Sequence, residues 1–207
     1  MVVRYCGGVS PRRSVDEAAV TRQQILRTAV SRASCVGLEG LTIGALAHEL
    51  EMSKSGVIGP FGSRVELLSA TLAAAVTTFR DAVIAPLSAC EPGRQRLERL
   101  IDVWVDYLVD SPFTGGCFVT SASAELDDRP GALRDRLVEV VRSWRGYLAV
   151  EIAAAQPDRP EEQIAELVTT LVGISMAMNQ DLRLLDDPGA AMRGRQAMRR
   201  AVDLPIL

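Results

Sequence analysis

The sequence predicts an all-α fold, and three observations predict it. Apolar residues recur at helical spacing along most of the chain. No run of alternating β-branched residues is bounded by hairpin turns. Of 207 residues, 48% are hydrophobic but only 4% aromatic, so the core must be built from Ala, Leu, Val and Ile. Helices packed on helices suit such a core, and about nine are expected.

Taken in order, Ile25, Ala29, Ala33 and Val36 form one face of a first helix that Gly37 stops. Thr42 is an N-cap candidate for a second, short helix with Ile43, Leu46, Ala47 and Leu50 turned inward. Ser53 is a second N-cap candidate, and the helix after it cannot run past Pro60. Ser63, with Glu66 three residues on, has the capping-box pattern and opens a long helix toward Ala85. Pro86 and Glu91-Pro92-Gly93 then punctuate the chain. Leu97–Val109, Cys117–Leu126 and Ala132–Ala155 are the next three apolar-periodic segments, separated by Ser111-Pro112 and Asp127–Gly131. Glu161–Leu185 is the most apolar helix, and Ala190–Val202 is the last.

Charge divides the chain. The net of −3 separates into eight Lys/Arg against five Asp/Glu over residues 1–64 and fifteen against twenty-one over 65–207. The front segment therefore tolerates an anionic partner, whereas bulk coating of nucleic acid is excluded. Four cysteines without a C-x-x-C pair point to reduced thiols rather than a disulfide frame or a zinc site. With a single histidine, no metal cluster and no nucleophile–base pair, an enzyme is not expected, and no cofactor is expected. Met1–Ser14 lacks the apolar stretch of a signal peptide. Leu167–Met178, the longest apolar run, falls short of the ~20 residues of a membrane span. A soluble cytoplasmic protein with no membrane partner is the expectation.

Residues 42–60 are the informative segment. Two short helices joined at Glu51-Met52, the second capped by Ser53, have the helix-turn-helix layout that places the second helix in a DNA major groove. Ala47 is small enough for the two helices to cross closely, and Met52 and Val57 close a small core.

Further residues around this segment carry a resemblance. Thr21-Arg-Gln-Gln-Ile-Leu-Arg-Thr-Ala29, Gly37, Gly40-Leu-Thr-Ile43, Ala47, Met52-Ser-Lys-Ser-Gly-Val57, Phe61-Gly-Ser63 and Glu66-Leu-Leu68 resemble the TetR family of transcriptional repressors over residues 21–70. Gly115-Gly-Cys-Phe118 and Ala124–Gly131 are similar to the ligand-binding half of one subgroup. The resemblance implies an arm over 1–17, expected to be disordered, a DNA-binding domain over 18–64, and a ligand-binding and dimerisation domain over 65–207. It implies a homodimer that binds a double-stranded, palindromic operator and releases it when a small-molecule effector enters the C-terminal domain. By position, Thr42, Gly44, Ser53, Lys54, Ser55, Gly56, Ile58 and Arg64 are the implied DNA-binding residues, and Arg12-Arg13 in the arm are candidates for minor-groove contact.

The chain departs from the family at three positions. Ile58 replaces a phosphate-binding tyrosine, Pro60 a frequent histidine, and Glu51 the glycine of the interhelix turn. Glu51 must then adopt a left-handed conformation at a cost of about 1 kcal/mol or more. Gly56 and Gly59 each weaken the recognition helix by roughly 1 kcal/mol relative to alanine. A soft third helix is expected, with fast amide exchange over 54–59 in the absence of DNA. The same departures keep a second reading open: a dimeric ligand- or protein-binding helical protein that has lost operator recognition.

In the C-terminal part, Trp104, Tyr107, Phe118, Ser121, Trp144, Met176 and Asn179 are the candidate effector-binding residues, because large rings in an Ala/Leu/Val core leave room for a ligand. Cys117 is expected to be a buried structural thiol and His48 a surface residue. Leu167, Leu171, Ile174, Ser175 and Met178 are the candidate dimer interface, since helix 161–185 is apolar on more than one face.

Overall fold

Hydroxyl side chains start three consecutive helices. Thr42 Oγ1 accepts from the Ala45 amide at 3.2 Å, Ser53 Oγ from Gly56 at 3.0 Å and Ser63 Oγ from Glu66 at 3.1 Å. Each satisfies an amide that a helix start leaves without a partner. The computed structural model describes residues 11–203, and its described residues contain nine α-helices and no strand.

The helices are α1 (Pro11–Val36), α2 (Ile43–Glu49), α3 (Lys54–Ile58), α4 (Arg64–Phe79), α5 (Arg94–Val109), α6 (Phe118–Leu126), α7 (Ala132–Ala155), α8 (Glu161–Leu184) and α9 (Ala190–Ala201). Helix α1 takes in residues 11–17, and residues 1–10 and the Arg12 and Arg13 side chains lie outside what is described. Ile25, Ala29 and Ala33 are buried as their spacing indicates, but Val36 is half exposed, because the chain turns away at Gly37 (φ +79°) immediately after it. The helix expected to run on to Ala85 is regular only to Phe79. A wider π turn over Arg80–Ile84 and a 3-10 turn over Ala85–Leu87 follow. Pro86 has no amide to donate back along the helix, so the regular ladder cannot continue through it.

Helices α1, α2 and α3 form the head, and α4 packs on α1 before passing into the C-terminal body. Helix α5 is the centre of that body. Leu97, Leu100, Ile101, Trp104, Val105 and Leu108 are all within 3% of full burial, and α5 packs on α7, α8 and α9. Its polar side meets α9: Arg199, 1% exposed, donates to Glu98 at 2.6 Å and Asp102 at 2.8 Å, and Arg195 reaches Asp102 at 3.1 Å and Asp106 at 2.6 Å. The stretch 64–87 is long and apolar enough to cross a membrane by composition, yet it packs against α1, α5, α6 and α7.

Candidate functional site

The head has a small core and a polar tip. Leu46, Ala47 and Val57 are buried where α2 crosses α3, and the Met52 amide donates to Ala47 O at 2.9 Å to close the turn. Glu51 has φ +53°, the left-handed conformation expected of it. Helix α3 has only five residues, shorter than the spacing suggested, because Gly59 and Pro60 follow and the Phe61 and Gly62 amides both turn back to Ile58 O. Ser53, Lys54 and Ser55 are exposed at its start, and the Ser53 and Ser55 hydroxyls are 3.0 Å apart.

The implied DNA-binding residues fall into two groups. Gly44 and Lys54 come together, since a Cβ on Gly44 would lie 3.6 Å from Lys54 Cε; the missing side chain leaves the lysine stem room to lie over the start of α2, which Thr42 caps. Ser53, Ser55 and Gly56 continue the same edge. Ile58 is half-buried against the head core, so its side chain is committed to packing. Arg64, at the start of α4, donates to Glu39 O at 3.0 Å and lies 3.6 Å from the Glu39 carboxylate.

Head and body are joined by residues far apart in the chain. Glu125, in the last turn of α6, accepts from the Leu38 amide at 2.8 Å and the Glu39 amide at 2.7 Å, both in the turn between α1 and α2. A Cβ on Gly37 would lie 2.7 Å from the Glu125 carboxylate and would push it off the two amides, while the positive φ itself favours glycine. Gly115, just before α6, is pressed against α1: a Cβ there would be 1.6 Å from Ser34 O. Sequence reasoning singled out the segment around Glu125 but assigned the carboxylate no part.

Between α4, α5, α6, α7 and α8 lies a cavity of about 210 Å³. Trp104, Trp144 and Met176, expected at a ligand site, line it. Trp104 and Trp144 meet edge to face with centroids 4.9 Å apart, and Phe79 meets Trp144 in the same way at 4.9 Å. Phe79, Val76, Val140, Arg145 and Val172 also line it, and none of them is among the residues expected at a ligand site. Ser175, expected at the dimer interface, lines the cavity instead, and its hydroxyl donates to Val172 O at 2.7 Å.

The remaining candidates lie elsewhere. Tyr107 is buried edge-on to Phe79 at 5.1 Å, and burial, then the neighbouring Cys117 thiol, pushes its phenol far above the usual range, so it stays protonated. Phe118 is buried against Phe113. Ser121 is exposed. Asn179 Oδ1 accepts from the Cys117 amide at 3.1 Å and so ties α8 to the start of α6. Cys117 is buried and His48 exposed, as expected.

Helix α8 presents its two faces unequally. Leu171, Ser175 and Met178 are buried within the chain, and Leu167 and Ile174 flank them, partly covered. The open face instead carries Gly173, Met176, Ala177 and Leu184, with Met192 of α9 also exposed. An apolar pattern on two faces cannot say which of them the chain itself covers.

A family model of the tetracyclin repressor-like C-terminal domain matches residues 93–198, about half of the chain. No curated protein sequence matches. Among solved structures, the chain is similar to a TetR transcriptional regulator from Chloroflexus aurantiacus, with TM-score 0.80 at 18% identity over 91% of this chain and 96% of that one. It is similar to AibR, solved with isovaleryl coenzyme A and operator DNA, with TM-score 0.69 at 15% identity over 89% and 97%. A putative transcriptional regulator from Saccharomonospora viridis, solved with choline, gives TM-score 0.71 at 21% identity over 89% and 96%. At these identities the likeness is one of fold.

Proposed function

Because the chain belongs to the TetR family of transcriptional regulators, we propose that it is a ligand-responsive DNA-binding regulator acting as a repressor in the cytoplasm. Two copies hold a palindromic operator through α3, and a small molecule in the 210 Å³ cavity loosens that hold. The observation that carries this reading is the pairing of a capped helix-turn-helix, with Lys54 and Ser55 exposed at its tip, with a walled apolar cavity on a helix that grips the head. That AibR was solved with operator DNA and an acyl-coenzyme A, and the S. viridis protein with choline, supports both partners.

The mechanism is linkage. A ligand that prefers one arrangement of body and head weakens operator binding by the same preference, and ~1–3 kcal/mol of coupling changes affinity about 5–150-fold. Helix α6 is suited to carry it, since Cys117, Val119, Thr120 and Ser123 face the cavity region while Glu125 holds the turn between α1 and α2. Helix α4 is the second route from head to body. Dimerisation through the open face of α8 and α9, with Gly173 and Ala177 permitting close approach, supplies the two-fold axis a palindrome needs.

A five-residue α3 with an inward-turned Ile58 favours a second reading, a dimeric binding protein that no longer recognises an operator. Mobility shift on the DNA upstream of its own coding region, at low salt, separates the two. A specific, competable shift supports the regulator. Absence of any specific shift, with dimer formation intact, supports the alternative.

A further inference from the structure

We propose that the cavity takes a small carboxylate with an apolar body, its carboxylate held by Arg145. The inference rests on reading the cavity as the effector site and adds the class of ligand. Its walls are apolar except for a few groups, and no aspartate or glutamate is among them. Two of the hydroxyls are already used by their own helices: Ser123 donates to Val119 O at 2.7 Å and Ser175 to Val172 O at 2.7 Å. Thr120 and Arg145 remain as polar lining.

Arg145 is half-buried, and among the described residues it has no carboxylate partner; its guanidinium makes a single long bond, 3.4 Å, to Oγ1 of the exposed Thr169, at the solvent edge of the cavity wall. Arg136, on the same helix but facing the neighbouring groove, has Glu66 at 3.8 Å. A guanidinium offers five donors in a fork that matches a carboxylate, and such bonds are strongest where water is partly excluded.

The competing occupant is a cation, because Phe79, Trp104 and Trp144 offer ring faces. A cation in this cavity would face Arg145 with no carboxylate to offset the like charge, and Trp104 and Trp144 already spend edges and faces on each other. The anion wins on charge. Size narrows the class: 210 Å³ is the liquid volume of about seven waters and below the ~300–1,000 Å³ of drug-sized sites. A short-chain aliphatic or single-ring acid fits.

The test uses the full chain and its own fluorescence, since its two tryptophans, Trp104 and Trp144, both line the cavity. Quenching is titrated with hexanoate and phenylacetate, with hexanol and 2-phenylethanol as uncharged counterparts, and with choline. At least one carboxylate is expected to bind saturably and at least about tenfold tighter than its alcohol and than choline. Arg145→Met should weaken that carboxylate at least about tenfold while moving its alcohol less than about twofold, and Arg145→Lys should recover part of the difference. An alcohol or choline binding as tightly as the acids, or an Arg145→Met variant that binds the acid unchanged, overturns the ligand class and leaves the cavity as the site. No quenching by any of the five probes overturns the class and the site together.

Discussion

Removing the Glu125 carboxylate tests the junction between head and body. Its bond to the Leu38 amide, 2.8 Å and partly buried, is of the charge-assisted kind and worth about 1.5 kcal/mol. The bond to the Glu39 amide is 2.7 Å but exposed, so solvent screening reduces it to about 0.5 kcal/mol. Together they give about 2 kcal/mol for Glu125→Ala. For a chain of this length that is a fall in Tm of roughly 4–8 °C. Glu125→Gln keeps one acceptor and presents an amide NH₂ to the other donor, so its fall should be smaller. Differential scanning calorimetry on the full chain reads both. The functional consequence is separate: with α6 no longer anchored to the turn, operator affinity should respond less to effector. Wild-type Tm in Glu125→Ala, together with an undiminished effector response, would refute the reasoning.

Glu51→Gly relieves a left-handed residue worth about 1–2 kcal/mol and adds about 0.5–1 kcal/mol of unfolded-chain entropy. A small net gain is expected, read as a higher urea midpoint at unchanged slope. Arg199→Met takes the guanidinium from Glu98 and leaves Asp102 only Arg195, and should cost about 3 kcal/mol by urea unfolding. Adding Glu98→Gln should recover part of that loss. Lys54→Ala should lower operator affinity and reduce the slope of log K against log salt by about 2 for a dimer with one phosphate contact per copy. Hydrogen exchange in the free protein should be fast over 54–58, where α3 has five residues and a glycine, and slow in α5.

Local chemistry was legible and long-range pairing was not. Caps at Thr42, Ser53 and Ser63 act on amides three residues away, so their residue types alone announce them. The strain at Glu51 was legible for the same reason, as a side chain where the turn wants none. Glu125 meets Leu38 across 87 positions of sequence, a distance over which spacing carries no information. Phe79 is at the cavity through its contacts with Trp144 and Tyr107, 65 and 28 positions away, which its place in α4 does not disclose. Arg145 is one of 22 arginines, and only the walls around it single it out. Within α8 periodicity identifies apolar faces without identifying what covers them: Leu171, Ser175 and Met178 are buried by the chain itself.

Selection from random duplexes by the full chain tests the central claim, that α3 reads DNA in a two-fold dimer. Enrichment of an inverted repeat whose half-sites lie one helical turn or a multiple apart is expected. Enrichment should collapse with Lys54→Ala, Ser55→Ala. No enriched sequence at low salt from a chain that forms dimers would contradict it.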